Sequence, residues 1–244
     1  VSAWRWKQWG GVVLAALSVG AAIVGWRSAL PRITPVSASF SEAQVQRGAQ
    51  LAALGNCVSC HTADQGQPLA GGKPFVTPFG TVYSTNLSPD VDTGMGAWSY
   101  QAFARAMREG VSRDGHALYP VFPFTSFARL SDEDMTALYA WLMSQTPVAQ
   151  TTPTADMVLG LNMRPVMSLW NAVFHNDRQE RYDSTQTPEW NRGEYLVNGV
   201  AHCGACHTPR NLMGAEQKQT AYLQGAWVDG WQAPALTSFN HSPM

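Results

Sequence analysis

The chain has 244 residues, 45% of them hydrophobic, which supports one or two domains with an apolar core and argues against a disordered chain. Lysine and arginine total 16 against 17 acidic residues, a formal charge of -1, so nothing in the bulk charge points to nucleic acid as a partner. The 4 cysteines fall into two pairs of one pattern, and none remains for a disulfide framework.

Residues 1–40 read as a membrane anchor. Between Trp9 and Trp26 runs the uncharged stretch Gly10 to Gly25, with Arg5 and Lys7 before it and Arg27 and Arg32 after it. At about 1.5 Å per residue it covers roughly 27 Å, close to the hydrocarbon thickness of a bilayer, with a tryptophan at each interface. A cleavable signal peptide is the rival, because Val36, Ser37 and Ala38 have the small-residue spacing of a cleavage site. Ala38 stands far beyond the apolar run for such a site, and the expectation is a retained single transmembrane helix.

Ser41 with Gln44 has the pattern of a capping box and opens a helix that runs toward Gly55 and delivers the chain to Cys57. Residues 68–98 are rich in glycine and proline and read as a long loop, of the kind that lines a flat cofactor edge. Tyr100, Phe103 and Met107 then repeat at helical spacing up to Gly110. Ser131 with Asp134 caps a further helix that carries Met135, Leu138, Tyr139 and Leu142 on one face and stops at Pro147. Residues 41–147 therefore form a first domain, three helices around a loop-lined pocket.

Residues 148–187 read as a connector. Its apolar stretch from Met157 to Phe174 is no membrane span, since it holds Arg164 and Pro165; it either packs between domains or presents a surface to the bilayer or a partner. Thr187 and Pro188, an N-cap followed by proline at the first helical position, open a second domain over 188–244. That unit repeats the first: Arg47-Gly48 stands ten positions ahead of Cys57 and Arg192-Gly193 eleven ahead of Cys203, with Leu51 and Leu196 at equal offsets from the arginines. The second copy is shorter after its cysteines, so the expectation is a chain that continues beyond Met244.

Each cysteine pair has the form CxxCH. Two cysteines at this spacing each make a thioether to one vinyl group of a haem, and the histidine directly after them binds the iron from one face. The sites are Cys57, Cys60 and His61, and Cys203, Cys206 and His207. Zinc ligation and a thioredoxin-type redox pair are the rivals; the pairs are too far apart in sequence for a zinc knuckle, and neither lies in a strand-to-helix context. Two covalent c-type haems place the globular part on the periplasmic side of the bacterial cytoplasmic membrane, where such haem is attached.

The strings RGAQLAALGNCVSCHT, FGTVYSTNLSPD, REGVSRDGHALYPVFPF, LSDEDMTALYAWLM and RGEYLVNGVAHCGACHTPRN resemble the cytochrome c subunits of membrane-bound bacterial dehydrogenases, and the resemblance covers almost everything after residue 40. It implies a mainly α fold, tandem class I cytochrome c domains after a single N-terminal transmembrane helix. It implies an electron-transfer subunit rather than the substrate-oxidising one, taking electrons from a dehydrogenase and passing them to ubiquinone or a terminal oxidase. In that family the dehydrogenase is a quinoprotein acting on alcohols, a flavoprotein acting on sugars, or a molybdenum hydroxylase acting on aldehydes or N-heterocycles. PVFPF and the connector NMRPVMSLWNAVF make the chain most similar to the last group, whose catalytic subunit carries a molybdenum cofactor and whose small subunit carries iron-sulfur clusters. The family has three haem domains; the third lies beyond residue 244 or is absent. Two rivals remain, a di-haem cytochrome c peroxidase and a subunit that anchors a soluble enzyme with idle haem.

The resemblance also places Phe122 where the family carries a methionine ligand, and a phenyl ring has no lone pair for iron. Met107 is the first substitute, because it shares a helix face with Tyr100 and Phe103, although it fits a plain core residue equally well. His116 is the second and would give bis-histidine ligation. For the second haem the family's methionine falls beyond Met244.

Overall fold

The computed structural model describes residues 27–34, 40–158, 161, 164–176, 182–228 and 230–237. The membrane segment expected between Trp9 and Trp26, and the sequence from Val36 to Ala38, lie outside the described residues. Among the described residues no helix is long and apolar enough to cross a membrane.

The first helix, α1 (Glu42–Leu54), begins as its sequence dictates. The Ser41 hydroxyl accepts the Gln44 N–H at 3.3 Å, the Gln44 side chain accepts the Ser41 N–H at 3.1 Å, and Gly55 closes the far end on the Leu51 carbonyl at 2.8 Å. A single turn, α2 (Cys57–Cys60), comes immediately after it. The glycine- and proline-rich stretch is not bare loop: β1 (Pro74–Thr77) and β2 (Gly80–Tyr83) pair antiparallel within it, and β3 (Asp156–Met157) later joins the outer edge of β2. Strands of four residues between glycines and prolines carry too little alternation to be read from sequence.

Next come α3 (Tyr100–Glu109), capped by Ser99 and ended by Gly110 at φ 62°, the turn α4 (Phe124–Phe127), and α5 (Asp132–Met143), capped by Ser131. α5 ends at Met143, ahead of Pro147, with Ser144 as its C-cap. Phe103, Met107, Phe127, Leu130, Met135, Leu138 and Leu142 close with Leu51 into one buried core. The connector forms α6 (Arg164–Phe174), and the second unit supplies α7 (Pro188–Asn198), the turn α8 (Gly204–His207) and the hairpin β4 (Ala226–Val228) and β5 (Trp231–Ala233).

The connector's inner face packs between the units. Trp170 is buried against Phe124, and its indole N–H donates to the Met213 carbonyl at 2.8 Å. Asn171 donates to the Glu109 carbonyl at 3.1 Å, and His175, through Nε2, to the Arg108 carbonyl at 2.6 Å, so α6 satisfies the open C-terminal end of α3. On its outer face Leu169 and Val173 are exposed. The second unit is no satellite either, since Val200 lies fully buried in the core of the first.

Gly48 is where α1 meets α5: a Cβ there would run into the Ala137 carbonyl and the Cβ of Trp141, whereas a Cβ on the corresponding Gly193 meets nothing within 4 Å. Gly48→Ala is therefore expected to destabilise the protein by about 1–3 kcal/mol through overpacking. Gly193→Ala is expected to be neutral or to stabilise by roughly 0.5–1 kcal/mol, because a mid-helix glycine costs backbone entropy. Denaturant titration of the two variants checks the contrast, and equal effects would refute it.

Candidate functional site

Both CxxCH motifs are entered through a left-handed residue. Asn56 at φ 54° and His202 at φ 38° turn the chain out of α1 and α7 and into the two short motif helices. In each, the histidine N–H closes the turn on the first cysteine's carbonyl, His61 to Cys57 at 2.9 Å and His207 to Cys203 at 3.0 Å. Asparagine tolerates this backbone region at little cost, and histidine is among the residues found there more often than most.

Beyond each histidine the chain repeats bond for bond. The hydroxyl of Thr62 accepts the Leu69 N–H at 3.2 Å, and that of the fully buried Thr208 accepts the Leu223 N–H at 3.0 Å. Leu69 and Leu223 both sit at positive φ, 63° and 55°, and their carbonyls accept the N–H of Leu87 and of Leu236, each at 2.8 Å. The histidine carbonyls accept from Gly71 and Gly225, both at 2.8 Å and both at positive φ, and a β-hairpin comes after each glycine. The intervening loops differ in length, with the threonine and leucine 7 positions apart in the first unit and 15 in the second. The pattern survives that difference.

The returning strand closes the device. Beyond β2 the Thr85 carbonyl lies 2.7 Å from His61 Nδ1, and beyond β5 the Pro234 carbonyl lies 2.7 Å from His207 Nδ1. A carbonyl only accepts, so Nδ1 carries the proton in both rings and the lone pair sits on Nε2, the atom a metal binds. Burial also pushes His61 below the usual histidine range, only partly opposed by the Thr85 bond, which favours the neutral ligand form.

The thiols are equally suited. Burial pushes Cys57 up to about 12, with Cys60 adding to it, and burial raises Cys60 and Cys203 as well. For Cys60, Lys73 opposes the shift and Cys206 reinforces it, so the motifs of the two units lie within electrostatic reach of each other. All four cysteines are free of disulfides. Among the described residues no three His, Cys, Asp or Glu side chains are grouped to hold a metal by themselves. Two pairs of free thiols, each beside a histidine poised at Nε2, form a donor set that fits c-type haem.

Of the candidate sixth ligands, Met107 is buried in the same apolar cluster against which Cys57 and Phe122 pack. His116 lies instead in the turn after α3, its ring paired with the Asp114 carboxylate, in a loop tied by Arg105 to the Ser112 and Arg113 carbonyls. Sequence reasoning passed over Met95, a second buried thioether in the Cys57 cluster. It sits in a glycine-rich loop with no helical period to mark it, and only its residue type could have drawn notice. The carbonyls of Thr85 and Pro234 carry no sequence signal at all.

Comparison with known proteins agrees with this chemistry. The cytochrome c family profile matches residues 45–146. The chain is 51% identical over 242 residues to a nicotinate dehydrogenase subunit of Pseudomonas putida, an alignment that covers 99% of this chain and 20% of that protein. It is 46% identical over 209 residues to the gluconate 2-dehydrogenase cytochrome c subunit of Pantoea cypripedii, covering 82% of this chain and 47% of that one. It is 41% identical over 242 residues to the cytochrome c subunit of the quinone alcohol dehydrogenase of Gluconobacter oxydans, covering 96% of this chain and 48% of the relative. The chain thus spans between a fifth and about half of the length of these relatives. The resemblance read from the motif strings is borne out: residues 45–146 carry a cytochrome c domain, and the chain is similar to the cytochrome subunits of dehydrogenase complexes.

Proposed function

We propose that this chain is an electron-transfer subunit holding two c-type haems, one on Cys57, Cys60 and His61 in a domain over 41–147, the other on Cys203, Cys206 and His207 in a domain over 188–244. The observation that carries the reading is the paired Nδ1-to-carbonyl bond, 2.7 Å at both histidines, which prepares each imidazole to ligate iron. When bound, haem supplies one-electron chemistry between ferric and ferrous iron. The protein's own part is to fix each histidine's tautomer and to hold the two motifs close. Pyridine haemochrome analysis of the denatured chain is expected to count two haems, and one for a Cys203→Ala, Cys206→Ala double variant. A count of two in that variant would refute the assignment.

The electron donor in this reading is a dehydrogenase catalytic subunit with a molybdenum cofactor and an iron-sulfur small subunit, and the acceptor is ubiquinone or the respiratory chain. Identity of 51% along nearly the whole chain to a nicotinate dehydrogenase subunit favours that donor. A quinoprotein alcohol or flavoprotein sugar dehydrogenase is the second reading, favoured by the alcohol and gluconate dehydrogenase relatives. Metal analysis of the native complex separates the two: molybdenum with non-haem iron supports the first, calcium with a quinone cofactor or a flavin the second.

Met107 is the proposed sixth ligand of the first haem, since its thioether shares the Cys57 cluster and His116 is engaged with Asp114. Met107→Ala should abolish the methionine-to-iron charge-transfer band and lower that haem's potential. An unchanged band would shift the assignment to Met95, and a wild-type protein without that band would shift it to His116 or to an open site.

The proposal further places the haem domains on the periplasmic face of the cytoplasmic membrane, held by the segment from Trp9 to Trp26. Replacing residues 1–38 with a cleavable signal should release the complex from membranes. Tight association that persists in that variant would count against the anchor.

A further inference from the structure

Helix α1 runs into the first haem motif and helix α7 into the second, and a single buried carboxylate stands between them. Asp134, on α5, is 1% exposed. Its Oδ1 accepts the Arg47 Nε–H of α1 at 2.5 Å, and its Oδ2 accepts the Tyr195 hydroxyl of α7 at 2.6 Å. The same tyrosine oxygen accepts the Ser131 backbone N–H at 3.1 Å, ahead of the first turn of α5. Arg192 lies over the Tyr195 ring, 5.2 Å from its centroid, holding the phenol from the other side. A buried carboxylate without both partners would be costly, so the geometry at this point is tightly determined.

The motif ends of the two helices meet as well. His202, immediately before Cys203, bonds through Nε2 to the carbonyl of Gly55, two residues before Cys57, at 3.2 Å, and its ring stands edge-on to Phe127 at 5.4 Å. Val200 fills the space beside Gly55 and is fully buried. Two contacts, one near mid-helix and one at the motifs, fix both the separation and the rotation of α7 against α1.

We propose that Tyr195 and Asp134 are positioning residues for electron transfer between the two haems, a latch that sets the spacing and mutual orientation of the CxxCH motifs. The inference rests on the two-haem reading above. A latch of this kind acts on the distance between redox centres and not on the ligands of either one. Its loss therefore leaves each haem chemically intact while weakening the communication between them.

The test uses the full holoprotein. Tyr195→Phe removes only the hydroxyl, and Asp134→Asn removes the charge while keeping the shape. Haem is counted first; a wild-type count below two refutes the two-haem reading and this inference with it. With two haems present, the dipolar interaction between the ferric centres in the EPR spectrum, and the rate at which an electron placed on one haem equilibrates with the other, are then measured. Tyr195→Phe is expected to keep two haems with unchanged optical spectra, to weaken the dipolar interaction, and to slow equilibration several-fold. Leu142→Ala, which thins the first unit's core at the far end of α5, controls for stability and should leave both readouts unmoved. A Tyr195→Phe protein with two haems and wild-type coupling overturns the proposal, as does a Leu142→Ala protein that loses coupling to the same extent. Tyr195→Phe decides the question if Asp134→Asn fails to fold.

Discussion

A carbonyl oxygen brought to each histidine's Nδ1–H is the constraint around which both units are built. To deliver it, the chain must leave the histidine, turn back at a left-handed leucine and a left-handed glycine, run out and return as a short hairpin, and bring a loop residue alongside the ring. Each step costs something: leucine at positive φ is disfavoured by about 1–2 kcal/mol. Such strain persists because the surrounding bonds, threonine hydroxyl to leucine N–H and histidine carbonyl to glycine N–H, over-determine it. That the same costly path is taken twice, across loops of different length, shows that the endpoint is what the structure preserves.

The sequence made much of this legible, though unevenly. Helix starts were plain at Ser41, Ser131 and Thr187, where α1, α5 and α7 begin, whereas α3 was read from its apolar spacing and its Ser99 cap was passed over. CxxCH was legible because its chemistry needs residue types at fixed spacing. The hairpins, and the carbonyls that orient the histidines, were not legible, since a backbone oxygen can be offered by any residue and the strands are too short to show alternation. The sixth-ligand candidates had to be weighed by residue type alone, and burial now separates Met107 and Met95 from His116. The connector left two meanings open, and its two faces explain why: Trp170 is buried and Leu169 exposed on one helix.

Charge is used sparingly in the interior. Asp134 is 1% exposed, and both of its oxygens are committed to partners from other helices. By contrast the ion pairs of Arg32 with Asp92 and of Arg108 with Asp132 leave their carboxylates largely in water, where such pairs contribute about 0–1 kcal/mol. Specific geometry is thus concentrated where the two units meet, and the rim adds solubility more than order.

The bonds from Asn171 and His175 to the end of α3, and the pairing of β3 with β2, bear on how the chain can be divided. Both come from residues after 147, yet both complete structure that begins before it. Cutting the polypeptide at that point would strip two helix carbonyls of their partners and bare the edge of a hairpin, a surface prone to pairing with other chains. A first unit cut there would lack partners that β3 and α6 supply from beyond 147.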